Sequence, residues 1–273
     1  MARFDGKVVF VTGAARGQGR EHALRFAAEG AAIIAVDLAP PRTGSGDAPS
    51  GLAETAAAVR ALGARIVTAE ADVRDLEALS AVAASGAEEL GPIDVVLANA
   101  AIETFAPIES LEESAWRDVI DINLGGVYKK TIKAVLPHFR ESGGAIIITG
   151  SYCGIRGTVD EVHYVASKHG AVGVMKALAN ELGPRGIRVN IVHPGLVWTP
   201  MVNNSHFFRV MRPDVENPTK EDVAEVVREL NPLGVPWVEV VDISNAMLFL
   251  ASDDARYITG VEVAVDAGMA NKA

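Results

Sequence analysis

This sequence predicts an α/β fold built on a doubly wound parallel sheet. Three observations lead there. Short apolar runs alternate with helical patterns along nearly the whole chain of 273 residues. The runs are continuous in Val, Ile and Ala, which marks strands covered on both faces rather than half-exposed ones. Repeated strand–helix–strand units in one sheet then require right-handed crossovers, with helices on both faces. No internal repeat or interdomain linker interrupts the pattern, so one domain is expected over 1–273.

Each element follows from its own residues. "KVVFVTG" (7–13) reads as a buried strand, and "GREHALRFAAEG" (19–30) as a helix stopped by Gly30. "AAIIAVD" (31–37) is the second strand, followed by a helix near 52–62. "RIVTAEAD" (65–72), a helix near 75–90 and "IDVVLANA" (93–100) continue the alternation. A long helical stretch runs over about 111–141, then the strand "GAIIITGS" (144–151) and a helix near 160–182. "IRVNIVHPG" (187–195) is a strand ended by Pro-Gly; a helix near 242–252 and a strand at 261–265 close the chain. Two stretches break the rhythm. The segment 39–51 is rich in Pro, Gly and Ser and reads as an inserted loop. The region 196–238 reads as long and irregular, with prolines at 200, 213, 218, 232 and 236, and is a candidate substrate lid.

Composition narrows the function classes. The chain is 49% hydrophobic, enough for a large core, and its net charge of −10 argues against nucleic acid or an anionic membrane as main partner. No apolar run approaches the roughly 18 residues of a membrane span. The single cysteine, Cys153, allows no internal disulfide and suits a reducing cytosol.

Ligands of such sheets bind beyond the carboxyl ends of the strands, and the unusual residues cluster there. After the first strand comes "TGAARGQG" (12–19), with Gly13, Gly17 and Gly19 spaced T-G-x-x-x-G-x-G. Glycines there permit a tight turn and close approach of backbone to a pyrophosphate at a helix N-terminus; a turn with no ligand is the plain alternative. Asp37 ends the second strand, where a carboxylate can bond ribose hydroxyls and repel a 2′-phosphate, favouring NAD over NADP. A solvated strand-end Asp is the other reading. Asp72 and Val73 end the third strand; Asp72 could face adenine or cap the helix that starts near Leu76. Taken singly, Tyr164 and Lys168 of "YVASK" could be a solvated helix face, and Ser151 a turn residue. His163 and His193 flank motif residues, but no carboxylate or cysteine cluster with ligand spacing accompanies them, so no metal site is expected.

Together these residues resemble the short-chain dehydrogenase/reductase family. The likeness covers almost the whole chain: "TGAARGQG" (12–19), "DV" (72–73), "ANAA" (98–101), Asn123 in "DINLGG", Ser151 in "TGSYCG", "YVASK" (164–168) and "HPG" (193–195), with thirteen residues from Ser151 to Tyr164. The resemblance implies a single Rossmann-like domain, a nicotinamide cofactor and a homotetramer. It implies catalytic roles for Asn123, Ser151, Tyr164 and Lys168, and cofactor contacts from Gly13, Arg16, Gly17, Gln18, Gly19, Asp37, Leu38, Asp72 and Val73. Further along, Asn99, Ala100, Ala101, Tyr164, Lys168, Pro194, Gly195, Val197 and Thr199 would complete that contact. A finer likeness, in "AARGQGREHA", the insertion after Asp37 and the ending "VDAGMANK", points to the carveol-dehydrogenase-like, mycofactocin-associated branch. That branch implies tightly held NAD and electron transfer to a separate carrier.

Two departures stand out. Ala101 replaces the glycine usual in the family and adds a methyl beside the expected cofactor path. Arg16 is a basic residue that NADP-using relatives share, but Asp37 opposes a phosphate directly and Leu38 offers it no charge.

The implied chemistry is alcohol oxidation. Tyr164 is the base, and a free phenol has a pKa near ~10, so something must favour its phenolate. Lys168, one helical turn on, is expected to lower it together with the positive nicotinamide, and to bond the nicotinamide ribose. Ser151 would hold the substrate oxygen, and Asn123 would anchor a water for proton relay. Cys153, Trp198, Phe207, Phe208 and Met211 are expected, with Ser151, around an apolar substrate; the aromatics could instead pack a covering helix. The reading is NAD-dependent oxidation of a hydrophobic secondary alcohol. An NADP-dependent ketone or 3-oxoacyl-carrier reductase is the enzymatic rival, and a non-catalytic nucleotide sensor the rival of another kind.

Overall fold

The computed structural model describes residues 2–38 and 51–272. The inserted loop expected at 39–51 falls outside the described residues, apart from its last position. Seven parallel strands form one sheet in the order β3-β2-β1-β4-β5-β6-β7. They are β1 (Val8–Thr12), β2 (Ala32–Asp37), β3 (Ile66–Glu70), β4 (Val95–Ala98), β5 (Gly144–Thr149), β6 (Ile187–Pro194) and β7 (Glu262–Val265). The helices are α1 (Gly17–Ala28), α2 (Gly51–Ala61), α3 (Leu76–Leu90), α4 (Glu113–Ile120), α5 (Lys133–Val135), α6 (Val162–Leu182), α7 (Ser205–Met211), α8 (Lys220–Leu230) and α9 (Val240–Ala251).

The period of two along each strand divides the core into two layers. Phe10, Ile34, Val96 and Ile146 point to one face, where α3, α5 and α6 supply Leu79, Val82, Val135, Ala171 and Met175. Val9, Val11, Ile33 and Leu97 point to the other, against Phe26 of α1, Val59 of α2 and Met247 and Leu250 of α9. Burying each of these large side chains is worth about 2 kcal/mol, which is why apolar residues fill both faces of the strands. His22 and Ser244 approach to 2.7 Å and tie α1 to α9; burial pushes the His22 imidazole down to about 3, so it stays neutral.

The sequence order reverses between β1 and β4, and the parallel register aligns the carboxyl ends of the strands there. Thr12 pairs with Val36, Ala98 with Ile148, and Thr149 with Val192. A crevice therefore opens beyond Thr12, Ala98 and Thr149.

Three expectations change. The long helix of 111–141 is not regular: α4 passes into a π-helix over Asp121–Ile132 before α5. The Thr131 hydroxyl donates to the Gly126 carbonyl five residues back, at 3.0 Å, matching the wider turn. A Cβ at Gly126 would lie 2.6 Å from Val73 Cγ2, so the wide turn sits directly against the end of β3. The stretch 196–238 is not wholly irregular. It contains α7, capped by Asn204, and α8, whose Thr219 and Asp222 form a reciprocal capping box. Finally, Asp75 rather than Asp72 caps α3, accepting from Glu77 N and Ala78 N. Asp72 is turned instead toward the Arg74 guanidinium at 2.7 Å, which holds its carboxyl below the usual range.

Candidate active site

The glycine turn is shaped by contacts that exclude side chains. Gly13 and Gly17 have φ of +70° and +56°, a region open to glycine. A Cβ on Gly19 would stand 2.0 Å from the Gly13 carbonyl oxygen, so Gly19 packs the helix onto the strand instead of facing the crevice. Asp37 braces the same turn from β2: its Oδ2 accepts from Ala15 N at 2.7 Å and its Oδ1 from Leu38 N at 2.8 Å.

Asn99 knits the central strands. Its Nδ2 donates to Thr12 O at 3.0 Å, and its Oδ1 accepts from Thr149 Oγ1 at 3.1 Å. Thr12 Oγ1 accepts from the N–H groups of Asn99 and Ala100.

A cleft of about 450 Å³ runs over these groups. At one end lie Asp37, Leu38, Asp72 and Val73; Gly13, Arg16, Gly17 and Gln18 form the floor. Asn99, Ala100 and Ala101, then Pro194, Gly195, Val197 and Thr199, line its middle, and Ser151, Tyr164 and Lys168 its far end. Ala101 is among the residues lining the cleft. Thr199 closes it from above: a Cβ on Gly17 would lie 3.5 Å from the Thr199 side chain. Gln18 Oε1 is buried with no partner. A long cleft with a glycine floor, an orphaned amide oxygen and a carboxylate at one end fits a dinucleotide.

At the far end α6 presents both Tyr164 and Lys168, buried to 5% and 3% exposure. Ser151 reaches them from the end of β5, its Oγ accepting from Cys153 N at 3.2 Å. Lys168 Nζ donates to Thr149 O at 3.0 Å and lies 5.4 Å from the centroid of the Tyr164 ring. The expected lowering of the phenol by Lys168 together with the nicotinamide is not supplied by the protein groups alone. Burial, then the neighbouring acidic groups, Glu103 foremost, push Tyr164 well above the ordinary phenol, while its bond to Ser151 pulls the other way. Burial also brings the Lys168 ammonium down to about 8. The protein by itself keeps the tyrosine protonated.

Asn123 sits in the π-helix, and its side chain turns toward the loop after β4. Its Oδ1 accepts from Ile102 N at 2.9 Å, and its Nδ2 donates to Ile102 O at 2.8 Å. It thus fixes the loop that carries Glu103.

Several expected substrate contacts move. Cys153 is fully buried, with its sulfur toward Thr158 and Glu161, and burial pushes its thiol up to about 12. It neither lines the cleft nor offers a thiolate. Trp198, Phe207, Phe208 and Met211 pack into a satellite core with Val223, Val227 and Trp237. Trp198 meets Trp237 in a tilted contact, ring centroids 4.7 Å apart, and Lys220 Nζ covers it at 4.0 Å. The helix cap at Asn204 turns Phe207 inward, to 2% exposure. The walls near Ser151 and Tyr164 are instead Ile102, Tyr152, Leu196, Met201 and Val202, with Glu103 and Asn204 as polar points.

The roles of two positions escaped the sequence reading. Glu103 is a carboxyl in a cleft expected to be apolar; the signal was the lone charge in "AAIETF". His193, fully buried, donates from Nδ1 to Ser151 O at 2.7 Å and packs under Gly150 and Gly154, where any Cβ would lie under 3 Å from its ring. It braces the turn that aims Ser151. Among the described residues no group of three or more His, Cys, Asp or Glu is placed to hold a metal. No helix among them is long and apolar enough to cross a membrane.

A dinucleotide crevice ending in a buried Ser–Tyr–Lys set defines an oxidoreductase of the nicotinamide-using class. The comparisons with known proteins agree. The family profile described as enoyl-(acyl carrier protein) reductase matches residues 13–270. The chain is 47% identical to (−)-trans-carveol dehydrogenase of Rhodococcus erythropolis, over 98% of this chain and 99% of that one. It is 38% identical to levodione reductase of Leifsonia aquatica, over 97% and 95%. The crystal structure of carveol dehydrogenase from Mycobacterium avium in complex with NAD superposes with a TM-score of 0.95, at 49% identity and 100% coverage of both chains. The chain belongs to the short-chain dehydrogenase/reductase family.

Proposed function

We propose that the protein is an NAD-dependent dehydrogenase that interconverts a hydrophobic secondary alcohol and its ketone, with Tyr164 as acid–base residue. The observation that carries this reading is the convergence of Ser151, Tyr164 and Lys168 at one end of the cleft whose other end is the Asp37 carboxylate. When bound, NAD would supply the hydride acceptor and a positively charged ring. Ser151 Oγ holds the substrate oxygen. Tyr164 takes the hydroxyl proton in oxidation and returns it in reduction. Lys168 orients the ribose end of the cofactor, and Asn123 steadies the loop over the substrate. Asp37 selects NAD because a 2′-phosphate there would meet a carboxylate.

The apolar walls Ile102, Leu196, Met201 and Val202 support an uncharged substrate. The names of the relatives, carveol dehydrogenase and levodione reductase, support an alcohol–ketone pair of terpenoid type. A homotetramer is part of the proposal; exposed Tyr257 and Phe249, 89% and 44% accessible, offer apolar surface for subunit contact. So are a cytoplasmic setting, which the lone buried Cys153 thiol suits, and a mycofactocin-type carrier that reoxidises a tightly held cofactor.

The test is to purify the protein without added nucleotide, denature it and identify what is released by mass spectrometry, then follow NADH formation with a panel of cyclic secondary alcohols. Bound NAD and turnover of apolar alcohols are expected. Released NADP with ketone reduction would hand the assignment to the NADP reductase reading, which Arg16 in the cleft lining favours.

A further inference from the structure

Nothing in the reaction above employs Glu103 or Glu161, yet both lie against its centre. Glu103 lines the cleft beside Ser151, Tyr164 and Lys168. Glu161 directly precedes α6. Asp160 before it takes a left-handed turn, φ 60°, that an aspartate tolerates, and its carbonyl is held by Ala106 N at 2.8 Å. That turn carries Glu161 into the interior, where it is 3% exposed. Its Oε2 accepts from the Thr158 hydroxyl at 2.8 Å and lies 3.9 Å from the Cys153 thiol. Its Oε1 is buried, and no N–H or hydroxyl reaches it.

A buried carboxylate oxygen without a donor is strongly unfavourable. The group facing Glu161 is the Glu103 carboxyl, within hydrogen-bonding reach. Two ionised carboxylates at that separation repel; one proton between them turns the repulsion into an O–H···O⁻ bond and satisfies Oε1. Burial first, then this mutual repulsion, pushes Glu103 well above the usual carboxylate range, and burial pushes Glu161 in the same direction.

We propose that Glu103 and Glu161 hold a single proton between them and act as a positioning pair, whose one negative charge sets the pH at which Tyr164 gives up its proton. The proposal rests on Tyr164 being the acid–base residue. The surrounding charges are few. Lys168 on α6 faces Glu103 and gains from its charge; Asp160 adds a negative charge near Glu161. Cys153 and Tyr152, on the turn after β5, are kept neutral by burial. His163 on α6 is held neutral by burial and meets the Thr104 hydroxyl at 2.6 Å. The pair therefore supplies the main negative charge that Tyr164 feels, and it favours the protonated phenol that ketone reduction needs.

The test has two readouts. Infrared difference spectra of the purified protein near neutral pH should contain a protonated-carboxyl stretch that is lost or shifted in frequency in both E103Q and E161Q. In the pH profile of kcat/KM for alcohol oxidation, E161Q removes the shared charge while burial still holds Glu103 above the usual carboxylate range, and should move the rising limb to lower pH. The double variant E103Q/E161Q removes the charge and should move it to lower pH by about one unit, about tenfold in rate below the limb. Loss of rate at every pH with the limb unmoved would reduce the pair to a structural role and overturn the proposal, as would absence of the carboxyl band. The infrared result requires no turnover, so it separates failure of the pair from failure of the dehydrogenase reading.

Discussion

The two ends of the sheet each bury a carboxylate and treat it in opposite ways. At the amino end, Asp94 is 3% exposed and fully engaged: Arg140 donates at 2.5 and 3.1 Å, Lys7 at 3.2 Å and Val8 N at 2.9 Å. At the carboxyl end, Glu161 is equally buried but faces another acid, and one of its oxygens lacks any conventional donor. Tyr164 and Lys168 beside it are also displaced from their ordinary ionisation. One end spends its polar groups on holding β1, β4 and the turn before β5 together; the other keeps them under-satisfied, as a site must if it is to exchange protons with a substrate.

Substitutions can break that contrast. The largest effect is expected from Tyr164→Phe, which should lower turnover by about 10³-fold while NAD binding and the melting temperature hold; retained turnover in a steady-state assay would end the acid–base assignment. Asp94→Ala should do the reverse. It strands Arg140 and the Val8 N–H, should cost about 3 kcal/mol in urea unfolding, and should leave activity per folded molecule intact.

A pH series sharpens the comparison further. Lys168 has a folded pKa of about 8, against 10.5 when unfolded. Below pH 8 both states carry its proton and the burial penalty is fully present. Between about 8 and 10.5 the unfolded chain binds more protons, so this group makes stability rise with pH, by about 3 kcal/mol at most. Above about 10 the raised Tyr164 acts oppositely, because the unfolded phenol ionises first. Urea midpoints of the nucleotide-free protein should therefore rise and then turn over, and Lys168→Met should flatten the rise. The smallest effect is expected at Asp37. Asp37→Ala removes the ribose-end carboxylate and should shift the ratio of NAD to NADP affinity by about tenfold toward NADP, read by titration.

The sheet was legible because buried parallel strands have an unmistakable composition; every strand from "KVVFVTG" to the one near 261–265 appears in the structure. The candidate set of Ser151, Tyr164 and Lys168 was legible only through the family resemblance, because each residue taken singly reads as a turn or a solvated helix face. Less legible was α8, whose Val223, Ala224 and Val227 face inward with helical spacing but lie among prolines that dominate the local pattern. The aromatics of α7 were misleading for a related reason: hydrophobicity tells that a side chain will be covered, not whether by a ligand or by a neighbour such as Trp237.

The sequence by itself determined the order of strands and helices, the glycine turn, the carboxylate at Asp37 and the pairing of Tyr164 with Lys168 on one helix face, because each depends on residues close in the chain. Only the tertiary structure decided what surrounds them. The meeting of Glu103 with Glu161 across 58 residues, the His193 brace behind Ser151, the π-turn that lets Asn123 grip Ile102 and the replacement of the expected aromatic walls by Met201 and Val202 all depend on distant segments packing together. Ionisation follows the same division: a residue's type fixes which proton it can exchange, and its burial and neighbours fix the pH at which it does so.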